Sequence, residues 1–396
     1  MRILIVTSRF PFPPWRGNQV RTAEWLEALG DHQRLLICPP PRDSGDRPRL
    51  ADLGVGLRHY SVGLAQRAAA LPVSVASGLP IQEGLYATNS GRRAVARTLE
   101  QWQPDLVVVQ MVRCGWAGDV VRRSERGTPV LFDAIDAMGL HFQRASEAVP
   151  AALRGIYRRE AARCRSREAT LAGRAALTTA VSARDLRALE PSRGLVVPVA
   201  ARELPAGPVG DRAPMVLLSG NLGYRPTVDG AVWFAREVWP EVRRQVPTAT
   251  WTLVGARPAS AVRRLSRLEG VSLRANVPDL APYLGTAAVA IAPMSSGSGV
   301  PMKVLEAWAA GVPVVGHPWM AGGVEAEARG AVVAAESADQ WRLALIDLLT
   351  HREHAEELAA RGRAAWRRWY HPERVADLIR RAVRSAVDST DRVEPG

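Results

Sequence analysis

Ala292-Pro-Met-Ser-Ser-Gly-Ser-Gly-Val-Pro-Met-Lys-Val-Leu-Glu-Ala-Trp-Ala-Ala-Gly-Val-Pro-Val-Val315 is the most informative stretch of the chain. A short apolar strand ends near Pro293 and a loop of small residues follows. A helix opens near Pro301, where proline costs nothing because an N–H there has no intrahelical partner. Gly311 stops the helix before the next strand. Strand, loop, helix and strand make one βαβ unit. The unpaired amides at the helix start, approached through Gly297 and Gly299, form an anion site. Lys303 falls in the first turn, where a cation works against the helix dipole. Helix stability explains that placement poorly, and a phosphate ligand explains it well. Glu306 lies three residues on and shares its face. A carboxylate one turn beyond a phosphate site can accept hydrogen bonds from two sugar hydroxyls, such as those of a ribose. The pair has two readings at this level: a nucleotide site, or a solvated Lys–Glu pair on a surface helix.

The same alternation runs along the chain. In the first half, Arg2–Thr7, Arg34–Cys38, Leu106–Gln110, Val130–Asp133 and Leu177–Val181 are too short for helices and rich in Val, Ile and Leu. They read as strands. Their apolar residues run continuously, as in parallel strands covered on both faces. The segment Leu153–Leu189 carries helices rich in arginine. Residues 198–214 hold four prolines and two glycines and read as a linker. A second series then begins: Met215–Ser219, Thr250–Val254, Val271–Arg274, Ala287–Ala292, Val312–Val315 and Ala331–Ala334. A helix is expected from about Val228 to Arg244, with Val232, Val238 and Val242 on one stripe. Helices from about Ala355 to Ala386, broken near His371-Pro372, close the chain, and Asp388–Gly396 reads as a disordered tail.

A chain of 396 residues suits two α/β domains. The expected division is 1–200, then 213–370, with a C-terminal helix over 371–388 returning toward the first domain. Two doubly wound parallel sheets of Rossmann-like topology would face each other across a cleft at the carboxyl ends of their strands. No run of about 18 apolar residues could span a bilayer, and the N-terminus has neither the length nor the cleavage site of a signal peptide. Cys38, Cys114 and Cys164 show no paired spacing, so a cytoplasmic protein is expected. The formal charge is +13, carried almost wholly by arginine, and Lys303 is the only lysine. Such a field draws nucleotide sugars, anionic lipid or nucleic acid alike. The series Arg158, Arg159, Arg163, Arg165, Arg167 and Arg174 reads as a solvated helical face or as a patch for peripheral membrane contact. It lacks the interleaved aromatics of a single-strand binder, so no nucleic-acid partner is expected.

The run Gly299-Val-Pro-Met-Lys303-Val-Leu-Glu306-Ala-Trp-Ala-Ala-Gly311-Val-Pro313 resembles the donor-site motif of bacterial family-4 retaining glycosyltransferases of GT-B fold. The resemblance extends through Leu218-Ser-Gly220-Asn-Leu-Gly-Tyr-Arg225-Pro to Leu253-Val-Gly255. It implies that Glu306 holds the donor ribose and that the amides around Gly299 and Val300 contact the transferred sugar or its diphosphate. Ser298 stands where these enzymes often carry a second glutamate, which leaves the donor sugar open. Gly220 opens the second domain's first loop. Arg225, at the same sheet edge, is expected to clamp the diphosphate together with Lys303.

In the first domain, the loop Arg9–Thr22 has the position but not the Gly-x-Gly-x-x-Gly spacing of a dinucleotide fingerprint. The resemblance makes Gly17 the glycine that approaches the donor phosphate, with Asn18 and Arg21 beside it. Asp133 and Asp136 follow a strand and are candidates for binding acceptor hydroxyls or positioning a base. Helix capping is the alternative for Asp136. The Asp-x-Asp metal signature is absent from them, so no metal is expected, and no cofactor beyond the nucleotide sugar, which is substrate. His317 is expected only to pack at the cleft edge. A sugar-nucleotide hydrolase or epimerase, and a non-catalytic nucleotide-sugar-binding partner, remain as rivals to glycosyl transfer.

Overall fold

In the computed structural model, the described residues are 1–14, 17–41, 48–63, 68, 70, 72, 74, 76–205, 212–295 and 302–388. The chain divides into two compact units. One is Met1–Val199 together with the stretch from Val375, and the other is Ala200–Arg374.

The first unit is built on seven parallel strands: β1 (Arg2–Val6), β2 (Gln33–Cys38), β3 (Gly56–His59), β4 (Leu106–Gln110), β5 (Val130–Ile135), β6 (Leu177–Ala180) and β7 (Gly194–Val196). Their order across the sheet is β3-β2-β1-β4-β5-β6-β7. Strands β3 and β7 escape sequence reading because both are edge strands. Gly56–His59 and Gly194–Val196 are short and only half covered, so their sequences lack the apolar run of the central strands. The helix Pro372–Val387 belongs to this unit from Val375 onward, and Arg380 Nε donates to Ala28 O at 3.0 Å.

The second unit repeats the plan with β8 (Met215–Asn221), β9 (Thr250–Ala256), β10 (Val271–Ala275), β11 (Val289–Ala292), β12 (Val314–Gly316) and β13 (Val332–Ala334), in the order β10-β9-β8-β11-β12-β13. Alternate residues feed two separate cores. Val216, Leu218, Val289 and Ile291 enter one, and Leu217, Ala290 and Ala292 enter the other. That division is why these strands read as continuous apolar runs.

The helix expected over Val228–Arg244 is two helices, Arg225–Glu237 and Trp239–Gln245. Pro240 is the reason. Inside a continuous helix its ring would clash with the carbonyl four residues back, and in the first turn of a new helix it costs nothing. Val238, at the break, and Val242 remain fully buried.

In both sheets the strand order reverses beside the first strand of the unit, between β1 and β4 and between β8 and β11. Ligands of open α/β sheets bind at the carboxyl ends of such neighbours.

Candidate functional site

At the β8/β11 reversal, three residues meet. Gly220 lies near the end of β8 at φ 116°, in the left-handed region that favours glycine. A Cβ added there would stand 3.6 Å from Lys303 Cε and 3.9 Å from Nζ. Lys303 enters from the Met302–Ala309 helix, and its Nζ donates to Met294 Sδ at 3.0 Å. Thr227 Oγ1 donates to the same sulfur at 3.4 Å, and Trp319 Nε1 donates to Met294 O at 2.6 Å. Met294 is thus tied from three sides just past β11. Sequence reading missed it, because a methionine after a strand carries no motif; only its place at the strand end could have drawn notice.

A thioether is a weak acceptor. It holds the Lys303 ammonium in place without neutralising it. Among the described residues Lys303 forms no ion pair, and burial brings its pKa down to about 8 against the opposing charge of Glu306. Glu306 is half-buried on the same helix. Burial pushes its carboxyl up to about 7, while Lys303 and Arg202 act in the opposite direction. The two charges therefore sit partly desolvated without a direct bond between them, which is the condition of groups awaiting polar partners. The solvated surface pair considered from sequence does not describe them. Gly311, at φ 63°, ends the helix as expected, with Val312 N donating to Ala307 O.

Gly297, Ser298, Gly299 and Val300, the loop residues expected to touch the donor, lie outside the described residues. Arg225 is the first residue of its helix, three residues before the start expected near Val228, and its side chain is 86% exposed, with Nε donating to Asp229 Oδ2 at 2.7 Å, one turn away. No described hydrogen bond or ion pair joins it to Lys303. His317 caps a short helix through Nδ1, which accepts from Trp319 N.

In the first unit, Gly17 begins the Gly17–Ala28 helix, exposed, with open space where a Cβ would stand. Asn18 is buried beside it. Its Oδ1 accepts from Arg9 Nη1 at 2.9 Å, and its Nδ2 has no hydrogen-bond partner among the described residues. Arg21 and Asp133 require correction. Both are fully buried, and Arg21 donates through Nε and Nη2 to the two Asp133 oxygens at 3.2 and 3.0 Å. Gln110 Nε2 and Thr179 Oγ1 complete the carboxylate's shell at 3.1 and 2.8 Å, and Arg21 Nη1 donates to Pro198 O. A carboxylate so enclosed has no capacity left for a substrate hydroxyl. This pair is a structural lock.

Asp136 is different. A register shift at the end of β5 places Ile135 at φ 63°, and Asp136 follows directly. Met111, just past the neighbouring β4, is also left-handed at φ 64°. Such strained residues gather where geometry serves a site. Glu168 accepts from Met138 N and Gly139 N at 2.6 and 3.0 Å, and Asp185 accepts from Ala137 N at 3.3 Å, so these acids hold the loop. Asp136 itself accepts no hydrogen bond among the described residues, which removes the capping reading. Burial, reinforced by the Asp185 charge and opposed by Arg113, Arg184 and Arg21, raises its carboxyl to about 7.

The arginine series also divides. Arg158, Arg159, Arg165 and Arg174 are exposed and Arg163 is half-buried. Arg167 is buried and belongs to no solvated face: its Nη2 lies 2.8 Å from Glu83 and 2.6 Å from Asp119. Among the described residues, no three His, Cys, Asp or Glu side chains gather to hold a metal ion, and no helix is long and apolar enough to cross a membrane.

Residues 213–351 match the family described as glycosyl transferases group 1, and residues 19–207 match the glycosyl transferase 4-like domain. No protein with a curated description matches. Among solved structures, the sucrose-phosphate synthase of Thermosynechococcus elongatus is similar with a TM-score of 0.71 and 17% identity, covering 98% of this chain and 99% of its own. Anabaena HepE in complex with UDP-glucose follows at a TM-score of 0.63 and 13% identity, with 97% and 100% covered. A putative UDP-N-acetylglucosamine 2-epimerase of Listeria monocytogenes has a TM-score of 0.58 at 13% identity, with 99% and 98% covered. At these identities the likeness establishes the fold.

Proposed function

This chain belongs to the group 1, family-4-like glycosyltransferases of GT-B fold and is a glycosyl-transferring enzyme, and from that premise we propose that its donor is a nucleoside-diphosphate sugar and its acceptor a hydroxyl group. The observation that carries this reading is the half-buried Lys303 ammonium at the β8/β11 reversal, whose hydrogen-bond acceptor among the described residues is a sulfur. As the glycosidic bond to the diphosphate breaks, negative charge grows on the leaving phosphate. A cation already in position lowers the barrier without reorganising. Glu306, one turn along the same helix, accepts from the ribose hydroxyls. Gly220, beside Lys303, leaves room for close backbone approach to the donor, and the family resemblance gives Ser298, Gly299, Val300, Gly17 and Asn18 as further donor contacts.

Asp136 is the group assigned to the acceptor hydroxyl. Retention of anomeric configuration follows from the family resemblance, with the departing phosphate helping to remove the acceptor proton. Arg225 joins the diphosphate by leaving Asp229, an exposed pairing worth little to stability. Lys303 supplies the charge that a metal would otherwise bring, so turnover in a chelator is expected to be unchanged.

Calorimetric titration with a panel of nucleoside diphosphates tests the donor site. Binding that prefers one nucleotide and weakens in both Lys303→Ala and Glu306→Ala supports it. Binding indifferent to both substitutions overturns it. Turnover of a nucleotide sugar with and without a hydroxyl acceptor then separates transfer from hydrolysis or epimerisation.

A further inference from the structure

The helix Ala151–Arg174 is covered unevenly. Its second half is anchored by Cys164, Arg167, Glu168, Leu171 and Ala172, all buried. Its first two turns stand free. Residues 151–156, 158 and 159 are exposed, Leu153 at 43% and Ile156 at 57%. These are among the few large apolar side chains that the described residues leave in solvent. At about 100° per residue, Ile156, Leu153 and Tyr157 fall within one arc of about 100°, while Arg159 and Arg154 flank it by about 60° on either side. Tyr157, edge-on to Phe142 with ring centroids 5.9 Å apart, fixes the roll of the helix against its neighbour Met138–Ala148.

Charge sharpens the picture. Residues 151–159 contain Arg154, Arg158 and Arg159 and no acid, and Glu147 is the one acidic residue between 141 and 159. None of the three arginines has an acidic partner among the described residues. An exposed apolar stripe edged by unpaired cations is the pattern of a helix lying in a bilayer interface, with its stripe among the acyl chains and its guanidinium groups at anionic headgroups. Nucleic acid would use the arginines and leave Leu153 and Ile156 in water.

We propose that the first two turns of the Ala151–Arg174 helix dock the enzyme on anionic membrane surfaces through Leu153 and Ile156, with Arg154, Arg158 and Arg159 as headgroup contacts. This rests on the first unit alone and is independent of the donor-site reading. The full chain is sedimented with vesicles of phosphatidylcholine, with and without phosphatidylglycerol. It partitions onto the anionic vesicles, and added salt weakens the partition. Leu153→Ser/Ile156→Ser lowers it by about tenfold or more. Arg154→Gln/Arg158→Gln/Arg159→Gln removes the preference for anionic lipid. All five side chains are exposed, so both variants keep the parent melting temperature and nucleotide binding. Three results overturn the proposal: no partition by the parent chain, partition unchanged in the Leu153/Ile156 variant, or loss of partition to competing duplex DNA.

Discussion

The ammonium nitrogen of Lys303 lies 3.0 Å from the sulfur of Met294, and that sulfur is its hydrogen-bond acceptor. A carboxylate in the same place would neutralise the charge; a thioether merely aims it. Met294→Leu keeps nearly the same volume, so the melting temperature should move by no more than a few degrees. Nucleoside-diphosphate affinity should fall by about tenfold, the worth of one charge-assisted contact. Calorimetry on both proteins checks this, and unchanged affinity would remove Met294 from the site.

Nucleotide binding should show a narrow pH window. Glu306 accepts from hydroxyls best when ionised, above about 7, and Lys303 carries its charge below about 8. Affinity should therefore decline on both sides of that interval, the alkaline limb disappearing in Lys303→Ala and the acid limb in Glu306→Gln. Because Lys303 is the only lysine, an amine-reactive reagent reports on it directly, apart from the terminal amine. The rate of labelling should titrate near 8, and a bound nucleoside diphosphate should protect it. A titration at the ordinary lysine pKa would contradict the burial argument.

Two aspartates three residues apart should behave oppositely. Asp133→Asn leaves the buried Arg21 without its counter-charge, and breaking such a pair costs about 3–5 kcal/mol. Urea unfolding should show that loss. Asp136→Asn should leave unfolding nearly unchanged and lower turnover by about a hundredfold, as for a group that handles a reacting proton. Equal stability losses in the two variants would make Asp136 another structural acid.

These aspartates also mark where sequence reading stops. Patterns that depend on neighbours in the chain were legible. The alternating strands, the helix stop at Gly311 and the first-turn lysine at Lys303 all follow from periodicity and helix-end chemistry. What one residue finds from a distant element was not legible. Asp133 and Asp136 look alike in the sequence, yet Arg21, 112 positions away, encloses the first and leaves the second. Arg167 reads as one of a solvated series until Glu83, 84 positions earlier, reaches it. Met294 belongs to the same class, since its role depends on the register that brings β8 beside β11.

The three thiols sharpen this asymmetry between the units. Cys38, Cys114 and Cys164 are all buried in the first unit, where burial pushes each thiol up and suppresses its thiolate, and the second unit has no cysteine. A thiol reagent is therefore blind to the native chain and to any event confined to the second unit. Its reaction rate clocks the opening of the first unit alone. Lysine chemistry reads the second unit through Lys303. The chain thus carries two chemically separate reporters: thiol reactivity follows the opening of the first unit, and Lys303 reactivity follows the surroundings of one ammonium in the folded second unit.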